Sequence, residues 1–111
     1  MCGRYNLRLT SAELQEFFDL MREPDPFPIR YNVAPTQTVL AIRQQERGRV
    51  AVPHHWGLIH SWSDPKKAAG MINARGETVA EKPAYRSAFK NRRCLVPVSG
   101  FYEWQLVGPK L

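Results

Sequence analysis

Hydrophobic positions first mark one helix. In LTSAELQEFFDLM (9–21), Leu14, Phe17, Phe18 and Met21 fall at i, i+3, i+4 and i+7, a single apolar stripe. Thr10 is a suitable N-cap, Glu13 three residues on completes a capping box, and Leu9 and Leu14 hold the hydrophobic-staple positions. The pattern predicts a helix packed on a core. TVLAIR (38–43) and RVAVPHHW (49–56) predict two strands joined by QQERG, with Gly48 able to take positive φ. Pro53 has no N–H to give a ladder, so the second strand is expected at an edge or bulged there. PAYRSAFKNRR (83–93) predicts a short helix with Pro83 in its first turn and Tyr85, Ala88 and Phe89 on its apolar side. CLVPV (94–98) and FYEWQLV (101–107) predict strands flanking Ser99 and Gly100.

Between these elements the pattern breaks. REPDPFPIRYNVAPTQ (22–37) carries four prolines and predicts an ordered connection with short extended pieces. GLIHSWSDPKKAAG (57–70) predicts a loop with an exposed Trp62 and the basic pair Lys66 and Lys67. MINARGET (71–78) starts extended and turns at Gly76. Helices and strands mix without strand–helix alternation, which argues for an α+β fold over a doubly wound sheet. The 111 residues fit one domain, 1–111.

Composition narrows the class. With 43% hydrophobic and 23% charged residues the chain reads as globular. No apolar run approaches the ~18 residues needed to span a bilayer, so no membrane partner is expected. The N-terminus lacks a charged region followed by an apolar stretch, so a signal peptide is not expected and the expected location is cytoplasmic. Cys2 and Cys94 are the two cysteines, and without a secretory context a disulfide is not expected. Two cysteines and three histidines, with no CxxC or HxxxH, do not form a zinc motif, and no metal or other cofactor is expected. His54 and His55 are adjacent, so on a strand they face opposite sides. The net charge of +6 favours a polyanionic partner, although a soluble domain can simply be basic.

Chemistry enters at Cys2. If Met1 is removed, Cys2 carries an α-amine and a thiol on adjacent carbons. An α-amine has an ordinary pKa of about 7.7–8.0, so part of it is unprotonated near neutrality and can attack an aldehyde. The thiol, or better its thiolate, can add to the resulting imine and close a five-membered thiazolidine. Against this stands the reading of Cys2 as an unremarkable N-terminal residue. Arg4 shares a face with Cys2 in an extended segment and suits an anion, or is a plain surface arginine. Asn73, Arg75 and Glu77 alternate in NARGET and would share one face of an extended segment, as a polar site or a solvated strand face. Glu103 lies between Tyr102 and Trp104, where it is either partly desolvated and suited to proton transfer or an edge-strand glutamate paired with an arginine. Arg86, Lys90, Arg92 and Arg93, with Trp56, Trp62 and Lys66, make the mix of cations and stacking surfaces used for single-stranded nucleic acid, or a solvated helix face.

MCGRY (1–5), YNVAPTQ (31–37), HWGLI (55–59), INARGET (72–78) and RRCLVPVSGFYEW (92–104) together resemble the SOS-response-associated peptidase (SRAP) family, in family order and over nearly the whole chain. The resemblance implies an α+β architecture with a mainly antiparallel, β-rich core and flanking helices. It implies that single-stranded DNA with abasic sites is the partner, protected in the DNA damage response by a covalent thiazolidine crosslink, with the protein at the nucleoid when bound. Cys2 matches the crosslinking residue, Asn73 the asparagine that positions the reacting terminus, and Glu103 the glutamate assisting proton transfers and Met1 removal. Arg4 and Arg75 match phosphate-holding arginines, Trp62 an aromatic in the DNA groove, and Arg86 belongs to the basic face beside them. The family's domains extend further and carry a Gly-His motif followed by Arg-Met-Pro, whose histidine belongs to the active site; His54, His55 and His60 lie in a different motif. The expectation is therefore a domain incomplete at its C-terminus, with uncovered edges open to self-association. Two other readings stay open: a cysteine peptidase acting on itself or other proteins, and a non-catalytic single-stranded DNA-binding fragment.

Overall fold

The computed structural model describes residues 2–66 and 70–109; Met1 and Lys67 lie outside them. In chain order the elements are β1 (Tyr5–Leu7), α1 (Ser11–Phe18), β2 (Arg30–Val33), β3 (Thr38–Gln45), β4 (Gly48–His55), α2 (Arg86–Asn91) and β5 (Gly100–Phe101). Two antiparallel sheets result: a three-stranded one ordered β2-β1-β5, and the β3–β4 hairpin. The fold is α+β with the sheets dominant. No described helix is long and apolar enough to cross a membrane.

Helix α1 begins as its sequence dictates. The Thr10 hydroxyl accepts from the Glu13 amide at 3.2 Å, and the Glu13 carboxylate accepts from the Thr10 amide at 3.2 Å. Leu14 is fully buried, but the expected stripe ends early. Asp19 takes a left-handed cap with φ 52°, so the chain leaves the helix after Phe18. Phe17 is 77% exposed, and the buried residue beyond the cap is Leu20 rather than Met21. The Met21 amide instead donates to the Arg49 carbonyl at 2.9 Å, fastening this exit to β4.

The hairpin matches its pattern closely. Gln45 pairs with Gly48 across a two-residue turn, and the register continues unbroken to Thr38 opposite His55. Gly48 has φ +148°, and a Cβ there would sit 2.7 Å from Met21 Cγ. Leu40 faces Pro53, a position where the ladder alternation points the proline nitrogen away from β3, so proline is accommodated at an edge without a bulge. On the other side of β3, Ile42 exchanges backbone hydrogen bonds with Leu95 at 2.7 and 2.9 Å.

The core lies where β1, β2, β3 and α1 converge: Tyr5, Leu7, Leu14, Leu20, Val33, Val39 and Ile42. The Tyr5 and Trp56 rings pack at 5.4 Å between centroids. Beyond this core the sequence patterns yield less structure than they predict. Helix α2 covers 86–91 rather than 83–93, preceded by turns, and buries no residue; Phe89 is 40% exposed. Leu95 forms a single bridge, and FYEWQLV contributes only Phe101 to a strand. Residues 101–109 are exposed throughout, with Trp104 at 100%. The cause is the lack of an outer partner: β5 pairs with β1 on one side only. The radius of gyration, 16.1 Å, exceeds the ~13 Å of a compact 100-residue domain, as this unpacked segment requires.

Candidate functional site

Strand β1 positions the N-terminal candidates. Tyr5 pairs with Val33 of β2 and with Phe101 of β5, so the residues just before it lie between the ends of both neighbours. The Tyr102 amide extends the β5 ladder by donating to the Arg4 carbonyl at 3.0 Å. The Cys2 thiol donates to the same carbonyl at 3.7 Å, a weak bond to the backbone two residues further on. Gly3, Arg4, Asn32, Tyr102, Glu103 and Trp104 line one open groove of ≈ 630 Å³. A cation, a carboxylate and an exposed indole thus share a cleft whose lining begins one residue after Cys2.

Each wall is held from behind. Arg4 Nη1 donates to Asn32 Oδ1 at 3.1 Å, a bond between two residues of the groove lining. The Tyr102 hydroxyl donates to the Tyr31 carbonyl at 2.8 Å and accepts from Asn6 Nδ2 at 3.4 Å. Asn6 is buried, and its Oδ1 accepts from Arg8 Nε at 3.1 Å. The Ser99 amide donates to the Asn6 carbonyl at 2.8 Å, and the Arg8 amide donates to Ser99 Oγ at 2.8 Å. Gly100 leaves room for this pin: a Cβ there would meet Asn6 Nδ2 at 3.2 Å. Beneath the site, burial pushes the Tyr5 phenol up, and the nearby Cys2 sulfur adds to the rise while the Arg30 guanidinium opposes it.

The remaining candidates lie elsewhere. Asn73 and Arg75 line a second groove with Thr78, Lys82 and Tyr85, and the Tyr85 hydroxyl donates to the Asn73 carbonyl at 3.0 Å. Glu77 sits in the following turn and does not line that groove, while Ala74 lines it between Asn73 and Arg75, so the expected alternating face of NARGET does not form. Trp62 is 68% exposed and stacks on His60 at 4.7 Å. Arg86 lines a third groove along α2. Glu103 is exposed rather than partly desolvated, and it lies two residues beyond β5, just past the backbone bond from Tyr102 to Arg4. Cys2 and Cys94 are both free thiols. Among the described residues no three His, Cys, Asp or Glu side chains are grouped to hold a metal ion.

Asn32, Tyr102 and Trp104 belong to the groove but were not singled out as site residues by their own patterns. The alternation around Glu103 and the pairing of YNV with the N-terminal strand are the signals that point to them.

The chain is 38% identical over 113 residues to the abasic site processing protein YoaM of Bacillus subtilis, covering 99% of this chain and 50% of that one. It is 31% identical over 118 residues to the abasic site processing protein YedK of Escherichia coli, again 99% of this chain and 50% of the other. With the abasic site processing protein HMCES of Mus musculus the identity is 37% over 97 residues, 76% of this chain and 28% of that one. The chain thus spans about half the length of these bacterial relatives. No solved structure shows a significant match. The family profile described as SOS response associated peptidase extends over residues 1–110, from the Cys2 segment through the Glu103 segment and both walls of the groove. The chain belongs to the SOS response associated peptidase (SRAP) family.

Proposed function

We propose that this chain processes abasic sites in single-stranded DNA by crosslinking to them through Cys2. The observation that carries the reading is the groove beside Cys2, where Arg4, Glu103 and Trp104 meet. Abasic-site processing in the names of relatives that align with 99% of the chain supports the substrate class.

The chemistry uses groups a processed N-terminus would carry. Water cleaves the Met1–Cys2 peptide bond and frees the α-amine. The amine adds to the C1′ aldehyde of the ring-opened abasic sugar, and water leaves to give an imine. The thiol adds across the C=N bond: sulfur bonds to carbon and the S–H proton ends on nitrogen. A thiazolidine results, and the two crosslinking steps together release one water. Glu103, which lines the groove that begins one residue after Cys2, is assigned the proton transfers. Arg4, bonded to Asn32, is assigned a phosphate beside the lesion, and Trp104 and Trp62 are assigned base stacking. Asn73 and Arg75, in their own groove, are assigned to positioning the terminus and a second phosphate.

Incubation with an abasic oligonucleotide tests this. An adduct that survives heat and detergent is expected. It is lost when the aldehyde is first reduced with borohydride and in Cys2→Ala. An adduct that persists in Cys2→Ala overturns the assignment.

A further inference from the structure

The third groove carries an inference of its own. Arg86, Lys90 and Arg93 line an open cleft of ≈ 680 Å³ along α2, with Ser87, Phe89 and Asn91 and no carboxylate. Five cations and no acid occur between Glu81 and Glu103: Lys82, Arg86, Lys90, Arg92 and Arg93. The Arg86 amide donates to the Lys82 carbonyl at 2.9 Å, which ties Lys82 in the preceding turn to the start of α2, and within the helix Arg86 and Lys90 are four apart on one face. Among the described residues, Arg86 and Lys90 have no ion-pair partner, and Arg92 turns to Ser87 Oγ at 3.5 Å. Arg93 lies over the Phe89 ring at 5.3 Å, which restrains a guanidinium without neutralising it. A surface helix that only needed solubility would interleave acids with these cations. Like charges at i and i+4 cost stability instead, and an anion recovers it.

The direction of the track is also defined. Lys82 lines the second groove together with Arg75, and Tyr85 ties α2 to Asn73. Cations therefore follow one another from Arg75 through Lys82 to Arg86, Lys90 and Arg93. We infer that the α2 groove is a further phosphate-binding track, which takes the phosphodiester backbone of a nucleic-acid strand continuing past the Asn73–Arg75 groove. The inference rests on the nucleic-acid part of the proposed function and not on covalent chemistry at Cys2.

Equilibrium binding to undamaged, fluorescein-labelled oligothymidylate reads the track, because that probe has no aldehyde to trap. Anisotropy is followed against sodium chloride for the full chain and for the triple variant Arg86→Gln, Lys90→Gln, Arg93→Gln. Removing three phosphate contacts is expected to lower the slope of log K against log salt by about 2, at ~0.7 per contact on a single strand. A control removes equal charge from exposed arginines outside the groove, Arg22→Gln, Arg43→Gln, Arg47→Gln, and is expected to lose much less slope. Circular dichroism and urea melts confirm that both variants fold. Equal losses in the two variants, or none in the first, overturn the track. Inorganic phosphate should displace the probe no better than chloride at matched ionic strength; selective displacement reassigns the groove to a free anion and overturns the polynucleotide reading. Wild-type protein that shows the slope difference yet forms no adduct with abasic DNA refutes the crosslink and leaves the track standing.

Discussion

Tyr102→Phe isolates the link between the β-sheet and the groove beside Cys2. The substitution keeps the ring and removes only the hydroxyl that joins the Tyr31 carbonyl at 2.8 Å to Asn6 at 3.4 Å. The shorter bond is of ordinary neutral strength, worth about 1 kcal/mol net, whereas the 3.4 Å contact is near the outer limit and adds little. Tyr102 is 51% exposed, so water replaces part of the loss and global stability should fall by no more than ~1 kcal/mol. The local effect is larger in proportion. Without the hydroxyl, Glu103 and Trp104 are retained by the two-residue β5 pairing and the Tyr102 amide bond to Arg4. A loss of 1 kcal/mol in their positioning corresponds to about a fivefold slower crosslink at saturating DNA. Single-turnover adduct formation, hydrogen exchange of the 102–105 amides and a urea melt read the three quantities separately. Faster exchange with a slower crosslink and a nearly unchanged melt is expected. Wild-type rate and wild-type exchange together would show that the hydroxyl pin does not position the groove.

Leu14→Ala removes a fully buried side chain from the core and should cost about 2–5 kcal/mol in a denaturant melt, close to the whole stability of a core this small. Tyr5→Phe tests the raised phenol: a folded-state value above the unfolded one favours the neutral form, so its contribution is present below pH 10.0 and lost as pH rises through the folded value. The wild type should therefore destabilise more steeply than Tyr5→Phe in melts above that pH, and parallel curves would contradict it. Trp104 and Leu106, 100% and 78% exposed, should drive concentration-dependent association in sedimentation velocity, reduced by Trp104→Ser with Leu106→Ser. A strictly monomeric wild type would contradict that.

The legible parts of the fold were those whose signals are local. The capping box at Thr10 and Glu13 fixes the start of α1, and the two-residue turn before Gly48 fixes the hairpin register, because neighbours in sequence make both contacts. The end of α1 was less legible. Asp19 closes it through a left-handed backbone that aspartate tolerates, and the periodicity of Phe17 and Met21 carries no trace of that. FYEWQLV has the composition of a strand, but strand formation requires a partner, and only Gly100 and Phe101 find one. The site divides in the same way. Cys2 and Glu103 stand out by chemistry, and Arg4 by spacing. Asn32 and Asn6 act through antiparallel pairing and a buried hydrogen-bond network, neither of which a linear pattern encodes. Asn73 and Arg75 reach one groove, but Ala74 lines it too and Glu77 lies in the turn at 76–80, so the alternating face that an extended segment would give does not form.

The most direct test of the central claim is intact mass spectrometry of the folded chain, with Met1 removed, after incubation with an abasic oligonucleotide. The account predicts one species at the sum of protein and DNA masses less one water, absent in Cys2→Ala. Unmodified protein beside intact abasic DNA would contradict it.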